Sequence, residues 1–302
     1  MNKMFKYALY ISLFFVSFVI FLYWSLPYSI LKDRIVAAIE QQLSNKYEIV
    51  VEDFSPYWFT GIDVRGLKVK SLDEGGAELL KVNRAKGRAS LTSLIFGSPK
   101  ISFDLDIGRG EISGSAVQSA DEILLNMSLD DVDLKNFDVV GASTKMPISS
   151  QIDGRVDLKI DRQRPIRSEG KLELHLDDIK IAATNAKLGE LEMPLPDLVI
   201  SKGRGSLLKL EIGKGTVTVL SFKLSGGDLE LDITGKIFLS NDIANYRFNL
   251  NGTFKASETL EKALPFLFIV EKQKGEDGRY PLSITGRLAR PLIKIGTFTL
   301  PI

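Results

Sequence analysis

Gly226-Gly-Asp-Leu-Glu-Leu-Asp-Ile-Thr-Gly-Lys-Ile-Phe-Leu239 is the stretch that decides the fold. Leu229, Leu231 and Ile233 alternate with Glu230, Asp232 and Thr234, and the apolar series resumes at Ile237 and Leu239. A period of two sends successive side chains to opposite sides of a strand, so this stretch predicts a β-strand with one apolar and one wetted face. The pattern recurs to either side. Ile152, Val156, Leu158 and Ile160 alternate with Asp153, Arg155, Asp157, Lys159 and Asp161. Leu172, Leu174 and Leu176 alternate with Lys171, Glu173, His175 and Asp177. Leu208, Leu210 and Ile212, then Val217 and Val219, continue the series; Phe248 and Leu250 precede Gly252, and Leu282, Ile284 and Leu288 close it. Strands of this regularity, bounded by Gly, Asn and Asp, predict an antiparallel architecture.

Upstream, the period of two begins at Tyr47-Glu-Ile-Val-Val-Glu-Asp-Phe54 and runs on through Ile62-Asp-Val-Arg-Gly-Leu-Lys-Val-Lys70. Ile62 and Val64, then Leu67 and Val69, slip by one residue across Gly66, which predicts a bulge. Ser90 to Gly97 predicts a short helix with Ser90 as cap and Gly97 as stop, followed by a strand over Ile101 to Ile107. Ser257 to Glu271 predicts a helix capped by Ser257 and broken or restarted at Pro265, with a charged loop from Glu271 to Arg279. The weakest joint is Leu191-Glu-Met-Pro-Leu-Pro-Asp197, where two prolines interrupt the strands.

The N-terminus differs in kind. Tyr7 to Leu26 is an uncharged run rich in Leu, Ile, Phe and Val. As a helix rising about 1.5 Å per residue it is roughly 30 Å long, the thickness of a bilayer's hydrocarbon core. Phe14, Phe18 and Phe21 lie within it, Tyr10 stands toward one interface, and Tyr23 and Trp24 stand toward the other, where amphipathic rings concentrate. A cleaved signal peptide would have a shorter apolar core and a small-x-small site, which Tyr23-Trp-Ser-Leu-Pro-Tyr28 does not offer. Lys3 and Lys6 precede the run without an acid nearby, so residues 1–6 are expected in the cytoplasm, 7–26 in the membrane and the rest translocated. Residues 27–46 predict an amphipathic helix with Leu31, Ile35, Ala38, Ile39 and Leu43 on one face; it either packs over one end of the β domain or lies on the membrane surface. Residues 47–302 form the expected β-rich domain.

Composition limits the chemistry. The formal net charge is +1, of which Lys3 and Lys6 supply two, so no basic surplus remains for nucleic acid. No cysteine is present, and His175, the single histidine, falls on the polar side of its strand. A zinc site or a Ser-His-Asp triad therefore has little to draw on. Asp130-Asp-Val-Asp-Leu-Lys-Asn-Phe-Asp138 lacks the glycine and closing glutamate of a calcium loop and predicts a solvated turn. Gly203-Arg-Gly-Ser206 and Gly213-Lys-Gly215 lack the context of a nucleotide fingerprint. The chain is expected to be no enzyme and to need no cofactor or metal.

Three segments carry a resemblance to a known family. They are the anchor and short helix followed by Phe54-Ser-Pro-Tyr-Trp-Phe-Thr-Gly-Ile-Asp-Val-Arg-Gly-Leu-Lys-Val69, the stretch Gly226 to Ile237, and the ending Gly278-Arg-Tyr-Pro-Leu-Ser-Ile-Thr-Gly-Arg-Leu-Ala-Arg-Pro-Leu-Ile-Lys294. In these the chain resembles the type II secretion system protein N family and, beyond it, the AsmA-like envelope proteins. The resemblance implies a single-pass bacterial inner-membrane protein with a periplasmic domain and a part in exporting folded proteins, with secretion-system components as partners. The AsmA-like side implies a curved, open antiparallel sheet, a groove or half-barrel, whose apolar face handles lipid.

The apolar face has two physical readings, a closed sheet filled by its own side chains or an open groove; Leu172, Leu174, Leu176, Leu229, Leu231 and Ile233 are its candidate lining. Tyr57, Trp58 and Phe59 are adjacent and cannot all face inward, so they either plug one end of the sheet or touch a membrane or partner.

Overall fold

The computed structural model describes residues 13, 14, 17, 21, 28–42, 46–58, 60–72, 78–95, 97–137, 148–188, 191–264 and 266–300. The chain is mostly β: a 16-stranded antiparallel sheet, with a separate two-stranded hairpin and a few short helices. Its strands follow the sequence as a meander, β1 (Tyr47–Tyr57), β2 (Gly61–Ser71), β3 (Glu78–Ala89), β4 (Lys100–Ile107), β5 (Gly110–Gln118), β6 (Glu122–Asp133), β7 (Ile148–Asp161) and β8 (Glu169–Ile181). The chain then leaves the sheet for a hairpin of β9 (Thr184–Leu188) and β10 (Leu191–Leu195), and β11 (Leu198–Val199) rejoins β8 at its end. The meander resumes against β8 with β12 (Leu207–Gly213), β13 (Thr216–Leu224), β14 (Leu229–Phe238), β15 (Arg247–Ala256), β16 (Tyr280–Arg287), β17 (Arg290–Ile295) and β18 (Phe298–Thr299). β1 and β18 are the two ends of the path and do not pair with each other, so the sheet is open.

The helices fall near the expected places. Helix α1 (Tyr28–Gln42) precedes β1, and Glu40 Oε1 accepts from the Ile49 amide at 2.8 Å. The α1 stripe is not sealed against the sheet, because Ile39 remains 42% exposed. Helix α2 (Leu91–Ile95) ends before Gly97, whose φ of +74° suits a glycine stop. Helix α3 (Glu258–Ala263) is capped by Ser257 Oγ, which accepts from the Leu260 amide, and helix α4 (Phe266–Ile269) restarts beyond Pro265. Of the anchor, Leu13, Phe14, Ser17 and Phe21 are helical, with Phe14 65% and Phe21 69% exposed; Tyr10, Phe18, Tyr23, Trp24 and residues 1–6 lie outside the described residues. Among the described residues no helix is long and apolar enough to cross a membrane.

Several expectations are corrected. At Gly66 the slip is not a bulge: the ladders to β1 and β3 each lose one pair and resume in the same register, around a φ of +62°. True register shifts lie elsewhere, including β6–β7 at Leu129/Val132 and β7–β8 at Ser149/Gln151, where Asp131 and Asp178 take positive φ. The proline-marked joint at Leu191–Asp197 forms β10 of the outlying hairpin, where a proline removes no bond from the main sheet. Asp130–Asp133 ends β6, and Asp133 caps a 3-10 turn at Leu134–Asn136. Leu288 sits in the β16–β17 turn and is 42% exposed.

A buried cluster lies at the C-terminal end. Leu198, Ile200, Leu224, Phe254, Leu260, Leu267, Val270 and Tyr280 form one buried cluster that binds α3, α4 and β11 to β13–β16. Phe254 and Tyr280, direct partners across β15 and β16, stack with ring centroids 5.1 Å apart. Glycine lets neighbouring backbones approach closely beside this cluster. A Cβ on Gly252 would run into the carbonyl oxygen of Asp232 on β14, and Gly235 holds φ +140°. Gly252→Val is expected to cost about 2–4 kcal/mol by forcing those backbones apart, read as a lowered thermal unfolding midpoint.

Candidate functional site: the apolar face

Residues paired directly across an antiparallel ladder share a face. From Leu174 on β8 the row of direct partners runs through Leu208, Phe222 and Ile233 to Gly252, Leu282, Ile295 and Phe298. In the other direction it runs through Gly154, Leu129, Ile112 and Leu105 to Ala85, Val64 and Phe54. Every strand of the meander contributes one member, and no member is polar or charged. At about 4.8 Å between strands the row is roughly 65 Å long.

A second row lies two residues along each strand, or three on β13, where the register shifts between Val219 and Phe222. It includes Ile62, Phe103, Met127, Val156, Leu172, Leu210, Val219, Leu250 and Ile284, with Gly87, Gly114 and Gly235 in line. These rows make one apolar band across the sheet. Burial divides it. At the C-terminal end Leu231 and Leu229 pack against the cluster under α3 and α4, as does Leu176, and Ile233 is buried. Leu105, Leu125, Leu158, Leu172, Leu174 and Leu210 keep intermediate exposure, while Val64, Val156 and Val219 in the same rows are buried. A second layer packed at the usual distance of about 10 Å would bury such side chains. The six candidate lining residues therefore separate: Leu172 and Leu174 stand on the open part of the band, the other four at its closed end.

The opposite face is polar and internally compensated. Lys159 meets Glu122 at 2.8 Å, Lys209 meets Glu173 at 2.8 Å and Lys223 meets Asp232 at 3.5 Å. The hydrogen bond to Glu122 raises the Lys159 pKa, and the one from Lys209 lowers that of Glu173. Exposed pairs of this kind add little stability one by one, and they account for the carboxylates along the strands. His175 is exposed on this face, with Asp153 as its cross-strand partner on β7. Among the described residues no group of acids and histidines could hold a metal ion.

At the β1–β2 turn Trp58 takes φ +53° and is 62% exposed, so it does not plug the sheet. Arg88 lies 5.7 Å from its ring and Lys86 lies 5.9 Å from that of Tyr57; Phe59 lies outside the described residues. Beneath this end is a pair that strand alternation does not reveal. Asp63, 5% exposed, accepts from Arg84 Nε at 2.9 Å through Oδ1 and at 3.1 Å through Oδ2. The Arg84 hydrogen bonds hold its carboxyl below the usual range, against the opposing effect of burial. The signal lies only in pairing: Asp63 and Arg84 read as ordinary polar-face residues until β2 and β3 are set side by side.

The fold and this face define a class, an open antiparallel sheet with a continuous apolar side. Comparison with known proteins finds no matching family model, no matching curated protein and no matching solved structure.

Because the Asp63 pKa is depressed in the folded chain, its pair adds stability above the unfolded carboxylate range, near pH 4, that is lost as pH falls through the folded value. Asp63→Asn should cost about 1–2 kcal/mol at neutral pH, a modest loss because water screens the partly exposed Arg84. In urea unfolding the gap between variant and parent should close below about pH 4.

Proposed function

We propose that the chain is a non-enzymatic, single-pass inner-membrane protein whose periplasmic sheet is curved into a groove and binds lipid acyl chains along its apolar band. The observation that supports this is the unbroken apolar row from Phe54 to Phe298 together with the partial exposure of its middle, around Leu172 and Leu174. Water-exposed apolar surface on this scale is unfavourable by about 25 cal/mol per Å², and contiguous patches above a few hundred Å² mark interaction sites. Acyl chains suit a band that is long, apolar and free of charges. Gly114, Gly154, Gly235 and Gly252 within it leave room where neighbouring backbones converge, which a curved sheet needs. The anchor at 7–26 would keep the band's carrier at the membrane.

A second reading is an accessory subunit of the type II secretion system, supported by the three resembling segments and by the free edge of β1. That strand is 11 residues long and no strand pairs with its other side, where Glu40 of α1 takes the Ile49 amide; the rest of that edge suits a partner adding a strand.

A photo-crosslinking residue at Leu174 of the full chain in cells should yield lipid adducts by mass spectrometry, and one at Glu173, on the opposite face, should yield none. Crosslinks from Leu174 only to the chain itself would overturn the lipid reading. Recovery of secretion components by crosslinking from β1, with no lipid at Leu174, would favour the second.

A further inference from the structure

The polar face changes character on β15–β17. Arg247, Arg287 and Arg290 are direct partners in one cross-strand row, Arg247 opposite Arg287 and Arg287 opposite Arg290. All three are exposed, and among the described residues none forms an ion pair. Like charges placed directly opposite are destabilising; Arg65 opposite Arg84 and Lys68 opposite Lys81 on β2–β3 are relieved by Asp63 and Glu52, which pair with Arg84 and Lys68. The next row holds Lys236, Asn249, Thr285 and Leu292, so no acid faces the arginines from there. Asp242 is the acid nearest in sequence, and it is occupied: its oxygens accept from the Ala244 amide and from Asn245 Nδ2.

Apolar side chains stand at the tip of the same row. Ile243 is 64% exposed, Phe238 43% and Leu288 42%. They are held by a built turn. The Leu288 amide donates to the Tyr246 carbonyl at 2.8 Å and the Ala289 amide to the Ala244 carbonyl at 3.2 Å, which joins the β14–β15 and β16–β17 connections. In a meander alternate connections share an end, so this tip is on the same end of the sheet as the Trp58 turn, opposite the end where α1 enters β1. Arg162, Arg164, Arg167 and Lys214 fall in other connections of that end.

The geometry points to this tip as a docking surface for an anionic phospholipid membrane, the arginines meeting headgroup phosphates and Ile243, Phe238 and Leu288 entering the interface. Among the described residues these guanidinium groups, carried on paired strands, lack a counter-charge, and Arg287 alone donates a hydrogen bond, to Asn245 Oδ1 at 3.5 Å. They can match phosphates bidentately, and protruding apolar side chains beside them match a lipid interface better than an acidic protein surface. The inference rests on the membrane tether of the proposed function only for orientation: the tip lies at the end of the sheet away from α1, so it meets a membrane in trans. It does not require the apolar band to hold lipid.

The full chain, held in nanodiscs of neutral phosphatidylcholine, is mixed with vesicles of phosphatidylcholine with or without phosphatidylglycerol, and capture is read by flotation. Vesicles containing phosphatidylglycerol should be captured and neutral ones not, with capture falling as salt rises. The triple variant R247Q/R287Q/R290Q should weaken capture on the order of a hundredfold, taking three basic residues at a lipid surface. Removing like-charge repulsion should leave its unfolding midpoint equal or raised, and R247K/R287K/R290K should retain most capture. Equal capture of neutral vesicles, undiminished capture by the glutamine variant, or polyglutamate-coated beads captured as well as the anionic vesicles would each overturn the inference. Failure of the chain to enter nanodiscs would instead sink the anchor; in that case the same flotation is run on the free chain.

Discussion

The structure depends on a parity constraint. Each antiparallel pair keeps its two partners on the same side of the sheet, so the face assigned to one leucine fixes the face of its partner, and that partner fixes the next. Fourteen successive pairings separate Phe54 from Phe298, and a slip of one residue at any of them would turn the apolar side outward beyond that point. The shifts that do occur, at Leu129/Val132 and Val219/Phe222 among others, insert residues without putting a charge into the band. Cross-strand ion pairs on the other face give the same register a second check, since a slipped Lys209 would lose Glu173.

Much of this architecture is legible in the amino-acid sequence, and the remainder is hidden for physical reasons. Leu172, Leu174 and Leu176 announce their strand because three leucines alternate with charges. The cap at Ser257 and the break at Pro265 are local chemistry, readable from a few residues. β3 and β5 are harder because Gly87 and Gly114 stand where an apolar residue is expected, and a glycine reads as a gap rather than as a member of a face. Leu198 and Ile200 belong to the C-terminal buried cluster yet lie next to two prolines in a short segment, too brief for a period to show. Leu288 continues the alternation along the chain but falls in a two-residue turn.

Nothing in one strand reveals what three strands make together. Arg247, Arg287 and Arg290 are scattered cations in the sequence and become a row only through pairing. Asp63 and Arg84 likewise become a buried-end pair only across β2 and β3. The division of the apolar band, covered under α3 and α4 and part-exposed near Leu174, is also beyond alternation, which is the same for a filled core and an open one. Tyr280 marks the boundary. Its ring stacks on Phe254 and its hydroxyl donates to Glu261 at 3.3 Å, tying α3 to the sheet.

The sequential strand order has a kinetic corollary. Nearly every strand pairs with the strand just before it, and the one detour, from β8 to β12, is bridged by β11 on the same strand. Loop closure is therefore short for most strands, the long connections being those before β7, β12 and β16, and its entropic cost is small where it is short. A chain of this topology is able to assemble vectorially, strand by strand from β1, while its C-terminal portion is still being delivered. The growing edge is always the newest strand, so at each moment a single unsatisfied ladder awaits the next segment. The buried cluster that ties α3, α4 and β11 to β13–β16 lies late on this path, so it is complete only after the strands before it have paired.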